Sequence, residues 1–583
     1  MTRIVAAFSL ALLISVPAVA ADPAQDPLRF IPDKTDLIVK VERPRELIEG
    51  ITKLDAVKQA GRLDVVRQFL DSAQSRRILE FIAYYERDFG AKWPELLDKL
   101  AGGGIALGAK IAPGDNNPIL LAIQGTDEAL MKKLVERASS ILEQELALGD
   151  SKDKVAKEKY KDFEVLRLGK DFCACRIESA LLVSNKPETL HTGIDQHISN
   201  NTKGGASQKN ILAVDGLTKA KKLLPPNPQL WLWYGFDYIK SLPETKDLFV
   251  TPRNNTVLTF LFAGYLDIAR RSDFMAAGLY RHDDGYSLTI RMPAGRDGMA
   301  EDVELHLPRD AARNGTLPLL EPKNVIASHS FYLDLGAFWE KRDKMMSPAN
   351  AKDFEKGVKE ASRFLPGTSI DKLFTQSGPY HRLVAVHRDK SLYKVEPQVK
   401  LPDFGYVVSM RDPAFGKSVE VLIRGGAALA STQVSLKLFE EKYGDTPILG
   451  YRFPEDGKFP ADEQNLRFNF VPCYAVVQDQ AIAASSVELC KELIDIVKKE
   501  DRSKLITQNM HFRGHATGAL TALSASPEQL LTQTILNQAI SEAEAKKQVE
   551  QLLKYLEKLG TLDVETDYSA KDFRFDIRWR FGK

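Results

Sequence analysis

A segment that occurs twice constrains this chain more than its composition does, because a repeated stretch calls for a repeated architecture. Glu158-Lys159-Tyr160-Lys161-Asp162 leads into apolar, strand-like runs (Val165 to Leu168, Cys173 to Val183) and then a polar helical segment from Pro187 to Ile198. Glu441-Lys442-Tyr443-Gly444-Asp445 opens a second copy, followed by Ile448 to Phe453, Cys473 to Ala484 and Val487 to Val497. Tyr160 and Tyr443 are 283 positions apart, and Asp195 and Asp495 are 300 apart, the difference being a longer charged hairpin around Glu455 to Gln464. Other landmarks keep the same order. Asp371-Lys372-Leu373 answers Asp98-Lys99-Leu100, and Asp412-Pro413-Ala414 answers Asp127-Glu128-Ala129. Phe573, Phe575, Ile577 and Trp579 fall on Tyr286, Leu288, Ile290 and Met292 at an offset of 287.

The patterns inside each copy predict an α+β fold, a tandem duplication of a unit with mainly antiparallel sheet and packed helices. Leu37 to Val41 is a short strand. Val65, Val66, Phe69, Leu70 and Ala73, then Ile78, Ile82, Tyr85 and Phe89, recur at three and four residues, so a stripe on each helix is expected to face a core. Ile105 to Ile111 and Pro118 to Gln124 read as strands, and Asp127 caps a helix to Leu148. Gln229 to Phe236 is apolar at both parities, which predicts cover on both faces. His282-Asp283-Asp284-Gly285 marks a hairpin. The expected boundaries are 28–298 for the first repeat, 299–321 for a Gly- and Pro-bearing linker and 322–583 for the second repeat. The stretch from Pro527 to Gly560 reads as one helix of about 33 residues, roughly 50 Å long. Its counterpart carries Pro243 and Pro252 and is expected to be broken.

The N-terminus predicts export from the cytoplasm, with an uncleaved anchor as the alternative. Arg3, an apolar run from Ile4 to Val16 and Ala18-Val19-Ala20 form the layout of a cleavable secretory signal over residues 1–20, with cleavage expected before Ala21. The run is about 13 residues, short of the roughly 20 needed to span a bilayer, so no transmembrane segment is expected after cleavage and the protein is expected to be secreted or periplasmic. Without Arg3 the chain carries as many basic as acidic side chains, 79 of each. No basic stripe is present, which argues against nucleic acid as a partner. Cys173, Cys175, Cys473 and Cys490 read as buried thiols; Cys173 and Cys175, two apart on a strand, are poorly placed to bridge.

The duplicated order, the signal and the opening Ile31-Pro32-Asp33-Lys34-Thr35-Asp36 resemble a family of exported bacterial proteins of unknown function met in planctomycetes and cyanobacteria. The resemblance covers nearly the whole mature chain, rests on layout and implies no catalytic residue.

Known chemistries leave little trace. Gly103 to Gly108 has the glycine spacing of a phosphate loop but enters a strand and lacks the Lys-Ser/Thr that follows. His511 and His515 are four apart without the metalloprotease glutamate, and His381 and His387 flank a strand, so structural roles are expected and no metal site. Ser151 to Lys154 and Ser391 to Lys394 lie in charged, loop-like stretches unsuited to a serine-lysine pair. No catalytic residue and no cofactor is expected. Trp231 and Trp233, with Phe260, Leu261, Phe262 and Tyr265 downstream, are candidates to line an apolar groove for a hydrophobic ligand, although an ordinary core explains them better. The expected function is a non-catalytic binding or structural component of the cell envelope or extracellular space. An exported hydrolase of unrecognised type, or a carrier of a hydrophobic ligand, is the alternative.

Overall fold

A computed structural model describes residues 25–582 apart from 112–113, 115–116, 149–153, 202–208, 247, 251–252, 309–314, 389–390, 435, 457–461, 463, 502–504 and 526. The signal at residues 1–20 and Ser151 lie outside the described residues. The chain falls into two compact units, one made of residues up to Leu242 with Ser272–Pro293, the other of Pro243–Arg271 with Ala294 onwards. The fold is α+β with antiparallel strand pairing throughout.

The first unit holds β1 (Leu37–Val41), β2 (Gly104–Ala109), β3 (Ile119–Gln124), β4 (Val155–Tyr160), β5 (Phe163–Leu168), β6 (Phe172–Ile177), β7 (Ala180–Ser184), β8 (Leu230–Gly235), β9 (Phe274–His282) and β10 (Gly285–Met292). They pair in the order β4-β5-β6-β7-β3-β2-β1-β8-β9-β10. The second unit holds β11 (Val325–Tyr332), β12 (Ser377–Val386), β13 (Asp403–Met410), β14 (Lys437–Tyr443), β15 (Thr446–Arg452), β16 (Cys473–Val477), β17 (Gln480–Ala484), β18 (Met510–His515), β19 (Thr561–Tyr568) and β20 (Phe573–Arg580). These pair in the order β14-β15-β16-β17-β13-β12-β11-β18-β19-β20. Strand for strand, the two orders are the same.

One matched detail sits outside the sheets. Tyr160 ends β4 and donates its hydroxyl to Asp195 at 3.1 Å, on the helix Pro187–Asn201. Tyr443 ends β14 and donates to Asp495 at 2.9 Å, on the helix Val487–Lys499. In both cases a tyrosine at a hairpin tip ties the edge of the sheet to the helix that follows β7 or β17.

Helices cover both faces of the first sheet. On one face Leu190 and Ile194 of the helix Pro187–Asn201 and Leu217 and Ala220 of the helix Asp215–Leu223 close over Ile38, Leu120, Cys173, Trp231 and Trp233. On the other face Leu47 and Ala101 pack with Val41, Ile105, Leu121 and Val183. This explains why β8 is apolar at both parities: Trp231 and Trp233 point into the first layer, while Leu230 packs against the second. In the second unit Leu489, Leu493 and Ile494 cover Val384, Val407 and Ile482, and Phe415 and Val419 cover Val408 and Tyr474.

Three expectations need correction. Residues 299–321 do not behave as a tether: Val303, Leu305, Leu307 and Leu320 are fully buried in the second unit. Glycine and proline marked a break in regular structure there, and the alternating apolar residues between them carried the burial. The helix Thr256–Arg271, placed by sequence in the first repeat, belongs to the second unit. Phe260 packs edge-on against Phe338, the His306 ring donates to the Phe260 carbonyl at 2.8 Å, and Arg271 donates to the carbonyls of Gly295 and Asp297. Finally, the helix expected over 527–560 is two, Pro527–Gln538 and Glu542–Leu559. Ala539 takes a left-handed φ of 52°, and Ser541 starts the second helix with a full capping box to Glu544. That Ser-x-x-Glu is a helix-start signal inside what reads as one continuous helical pattern.

The amphipathic stripe at 64–70 also fails to find a core. Val65 is 71% exposed and Phe69 68% on the short helix Asp64–Leu70.

Candidate polar site in the second unit

Counting from the first residue of β8 and of β18, the second and fourth side chains point to the same sheet face in each unit. In the first unit these are Trp231, between Lys40 of β1 and Gly278 of β9, and Trp233, between Ile38 and Ala276. In the second they are His511, between Ser330 of β11 and Glu565 of β19, and Arg513, between Ser328 and Asp563. At these two positions one unit places tryptophans and the other a histidine and an arginine, although the first unit also buries a charge beside Trp231, Lys40, paired with Asp26 and Glu42.

The cover differs accordingly. In the first unit the helix Asp215–Leu223 lies over this face, close enough that a Cβ on Gly216 would stand 3.4 Å from the Trp233 ring. In the second unit only ten residues, 500–509, join the helix Val487–Lys499 to β18, and no helix forms among those described. Ile506 instead bridges to Thr316, and Glu321 reaches the site from the segment before β11.

Asp563 is the hub. Its side chain is 3% exposed, and a lone carboxylate so buried would be strongly disfavoured. It accepts from His511 Nε2 at 3.0 Å, from Arg513 Nε at 2.7 Å and from Arg580. Burial alone would push its pKa up, but the hydrogen bonds from His511 and Arg513 and the charges of Arg513 and Arg580 hold the carboxyl well below its usual range. Glu565 Oε1 lies 3.3 Å from the same His511 Nε2, and its Oε2 accepts from Gln508 at 3.1 Å. Arg513 turns its other end to Glu321 at 2.6 Å. His511, Asp563 and Glu565 each offer a ligand atom within 4.8 Å of the others, the only such metal-competent group among the described residues. Scattered histidines gave no sign of this group, because Asp563 and Glu565 lie 52 and 54 positions from His511 on another strand. The one signal was period two: His511-x-Arg513 and Asp563-x-Glu565 each put two polar groups on one face of a strand.

The other sequence candidates separate. His515 does not join His511; its Nε2 is buried without a hydrogen-bond partner. His381 is a buried structural residue, with Nδ1 2.6 Å from the Tyr406 hydroxyl and Nε2 donating to the Leu333 carbonyl at 2.8 Å. Ser391 bonds Glu396 on an exposed loop. Gly103 and Gly108 stand where a side chain would strike Gln124 or Ile31, which is the close-approach role of glycine in a sheet. All four thiols are free and buried, and burial pushes Cys173 up to about 11 and Cys175 to about 12. Trp231 and Trp233 are 3% and 7% exposed and belong to the core of the first unit. Leu261 and Phe262 are exposed on the helix Thr256–Arg271, which belongs to the second unit.

No family model matches the chain, and no curated protein matches it. Among solved structures, crystal forms I and III of TP0453 align at 9% and 10% identity, each with a TM-score of 0.23. The alignments cover 48% and 51% of this chain and 82% and 89% of theirs; so small a score supports no transfer of fold or function. No helix among the described residues is long and apolar enough to cross a membrane.

Proposed function

We propose that the protein is an exported, non-catalytic binding component of the cell envelope or extracellular space, built from a duplicated segment in which the first unit is scaffold and the second presents the recognition site. The observation that carries this reading is the contrast at matched sheet positions, Trp231 and Trp233 against His511 and Arg513. Buried charge costs stability relative to a well-packed apolar residue, so the replacement of two tryptophans by a histidine and an arginine that gather Asp563, Glu565 and Glu321 supports a site held for a ligand. The chemistry of the cluster supports binding over hydrolysis. Asp563 is engaged by Arg513 and Arg580, and Ser330, beside His511, spends its hydroxyl on the Leu317 carbonyl at 2.6 Å. Neither is poised as a base or nucleophile. The same strand order and the paired Tyr160–Asp195 and Tyr443–Asp495 contacts support duplication. Membership in the exported family of unknown function is part of the same proposal.

Native mass spectrometry of protein purified from its own cell tests this. A retained partner or ligand, lost in His511→Ala, is the expected result. Turnover of a hydrolase substrate panel that is abolished by the same change would replace binding with catalysis. N-terminal sequencing should begin at or near Ala21.

A further inference from the structure

We propose that His511, Asp563 and Glu565 form a binding site for one divalent transition-metal ion of the zinc type. The proposal deepens the reading of the second unit as the binding half and rests on it. A tetrahedral zinc shell with ligands at about 2.1 Å has edges of about 3.4 Å. His511 Nε2 stands 3.0 Å from Asp563 Oδ1 and 3.3 Å from Glu565 Oε1, so two of the three edges are already near that length. The proton on Nε2 that now holds these atoms together occupies the place a metal would take.

The outer contacts suit a ligand set. Metal-bound carboxylates are oriented by hydrogen bonds to their other oxygens. Here Arg580 holds Asp563 Oδ2 and Gln508 holds Glu565 Oε2, so Oδ1 and Oε1 face the imidazole; Oδ1 also accepts from Arg513 Nε at 2.7 Å, a bond that metal ligation must share. The donor set of one nitrogen and two carboxylates fits zinc or its neighbours, whereas calcium takes six to eight oxygens. Glu565 is 32% exposed, so water has access to complete the shell. Two guanidiniums beside Asp563 oppose the added charge, and the ion must displace the Nε2 proton, so binding is weaker than at a closed structural site. Two carboxylates balance the ion itself, and Glu321 takes one end of Arg513.

The full mature chain, stripped with a chelator, is titrated with Zn2+ in one series and with Ca2+ or Mg2+ in others, by calorimetry and by elemental analysis after dialysis. One zinc per chain and no stoichiometric calcium or magnesium are expected. Gln508→Ala should weaken binding about tenfold, His511→Ala and Glu565→Gln by more than that, and His515→Ala should leave it unchanged. Co2+ in the unaltered chain should give the visible absorption of a four-coordinate site, which guards against variants that fail to fold. No saturable zinc, a cobalt spectrum of the fully hydrated ion, or binding that persists in folded His511→Ala overturns the proposal. Zinc bound with no partner retained from the cell would leave the metal site standing and remove the partner reading; a partner without zinc would do the reverse.

Discussion

Trp231 and Trp233 are equally buried but differ in one hydrogen bond, and that difference sets the stability cost of shortening each to phenylalanine. The Trp231 indole donates to Glu42 Oε1 at 2.7 Å, and Glu42 is also paired with the buried Lys40, which reaches Asp26 on its other side. The Trp233 indole nitrogen is buried with no partner. Phenyl in place of indole forfeits on the order of 40 Å² of apolar contact, or about 1 kcal/mol. For Trp231→Phe the lost bond to a carboxylate adds about 1.5 kcal/mol, the low end for a charged acceptor because Glu42 is partly solvated, giving about 2 to 3 kcal/mol. For Trp233→Phe, removing an unsatisfied buried N–H returns about 1 kcal/mol or more, and the net change should lie within about 1 kcal/mol of zero. The assay is denaturant-dependent amide exchange of β8, which follows the first unit by itself, since a chain of two units need not unfold in one step. Equal costs for the two substitutions would refute the argument. Alanine at either position should cost about 3 to 5 kcal/mol.

Asp563→Asn should destabilise the second unit by on the order of 2 kcal/mol at neutral pH, less than a fully buried pair because Arg580 is partly solvated. The native carboxyl is depressed, so its contribution is complete above the ordinary carboxylate range and lost as pH falls. The difference between variant and parent should therefore hold above about pH 4 and only begin to shrink below it, without vanishing by pH 3, as thermal unfolding from pH 7 to 3 will show. Tyr160→Phe and Tyr443→Phe should cost their own units similar amounts, about 1 kcal/mol each by denaturation, and a large asymmetry would show that the two contacts are not equivalent. Ala539→Gly should stabilise the break between the last two helices by about 1 kcal/mol, read as a rise in melting temperature, because a left-handed residue with a Cβ is strained.

Much of the fold was legible because alternating strand patterns and turn signals recur in the same order in both halves of the sequence. β1, β8 and the hairpin of β9 and β10 lie where alternation and His282-Asp283-Asp284-Gly285 place them. Helix partners were less legible. The periodicity at 64–70 fixes which residues share a face, but Val65 and Phe69 show that it does not say what the face meets. The polar site was hidden for a related reason. His511, Asp563 and Glu565 are joined only by strand register, and register is set by the pairing of β18 with β19, not by either segment alone.

The route of the chain has its own consequence for how the molecule can be made and cut. Residues 243–271 leave the first unit for the second, 272–293 return to supply β9 and β10, and the chain then departs again. During synthesis the first sheet cannot be finished until residue 292 has emerged. By then the helix Thr256–Arg271, with Thr259, Ala263 and Ile268 destined for full burial, is already out while its partners at Gly295, His306, Phe338 and Phe573 are still to come. A nascent chain therefore carries an orphaned apolar helix while the first sheet closes around it in sequence, a natural point of engagement for a holding chaperone. No single scission yields two whole halves: a cut at 242 or at 293 strands either a hairpin or a helix.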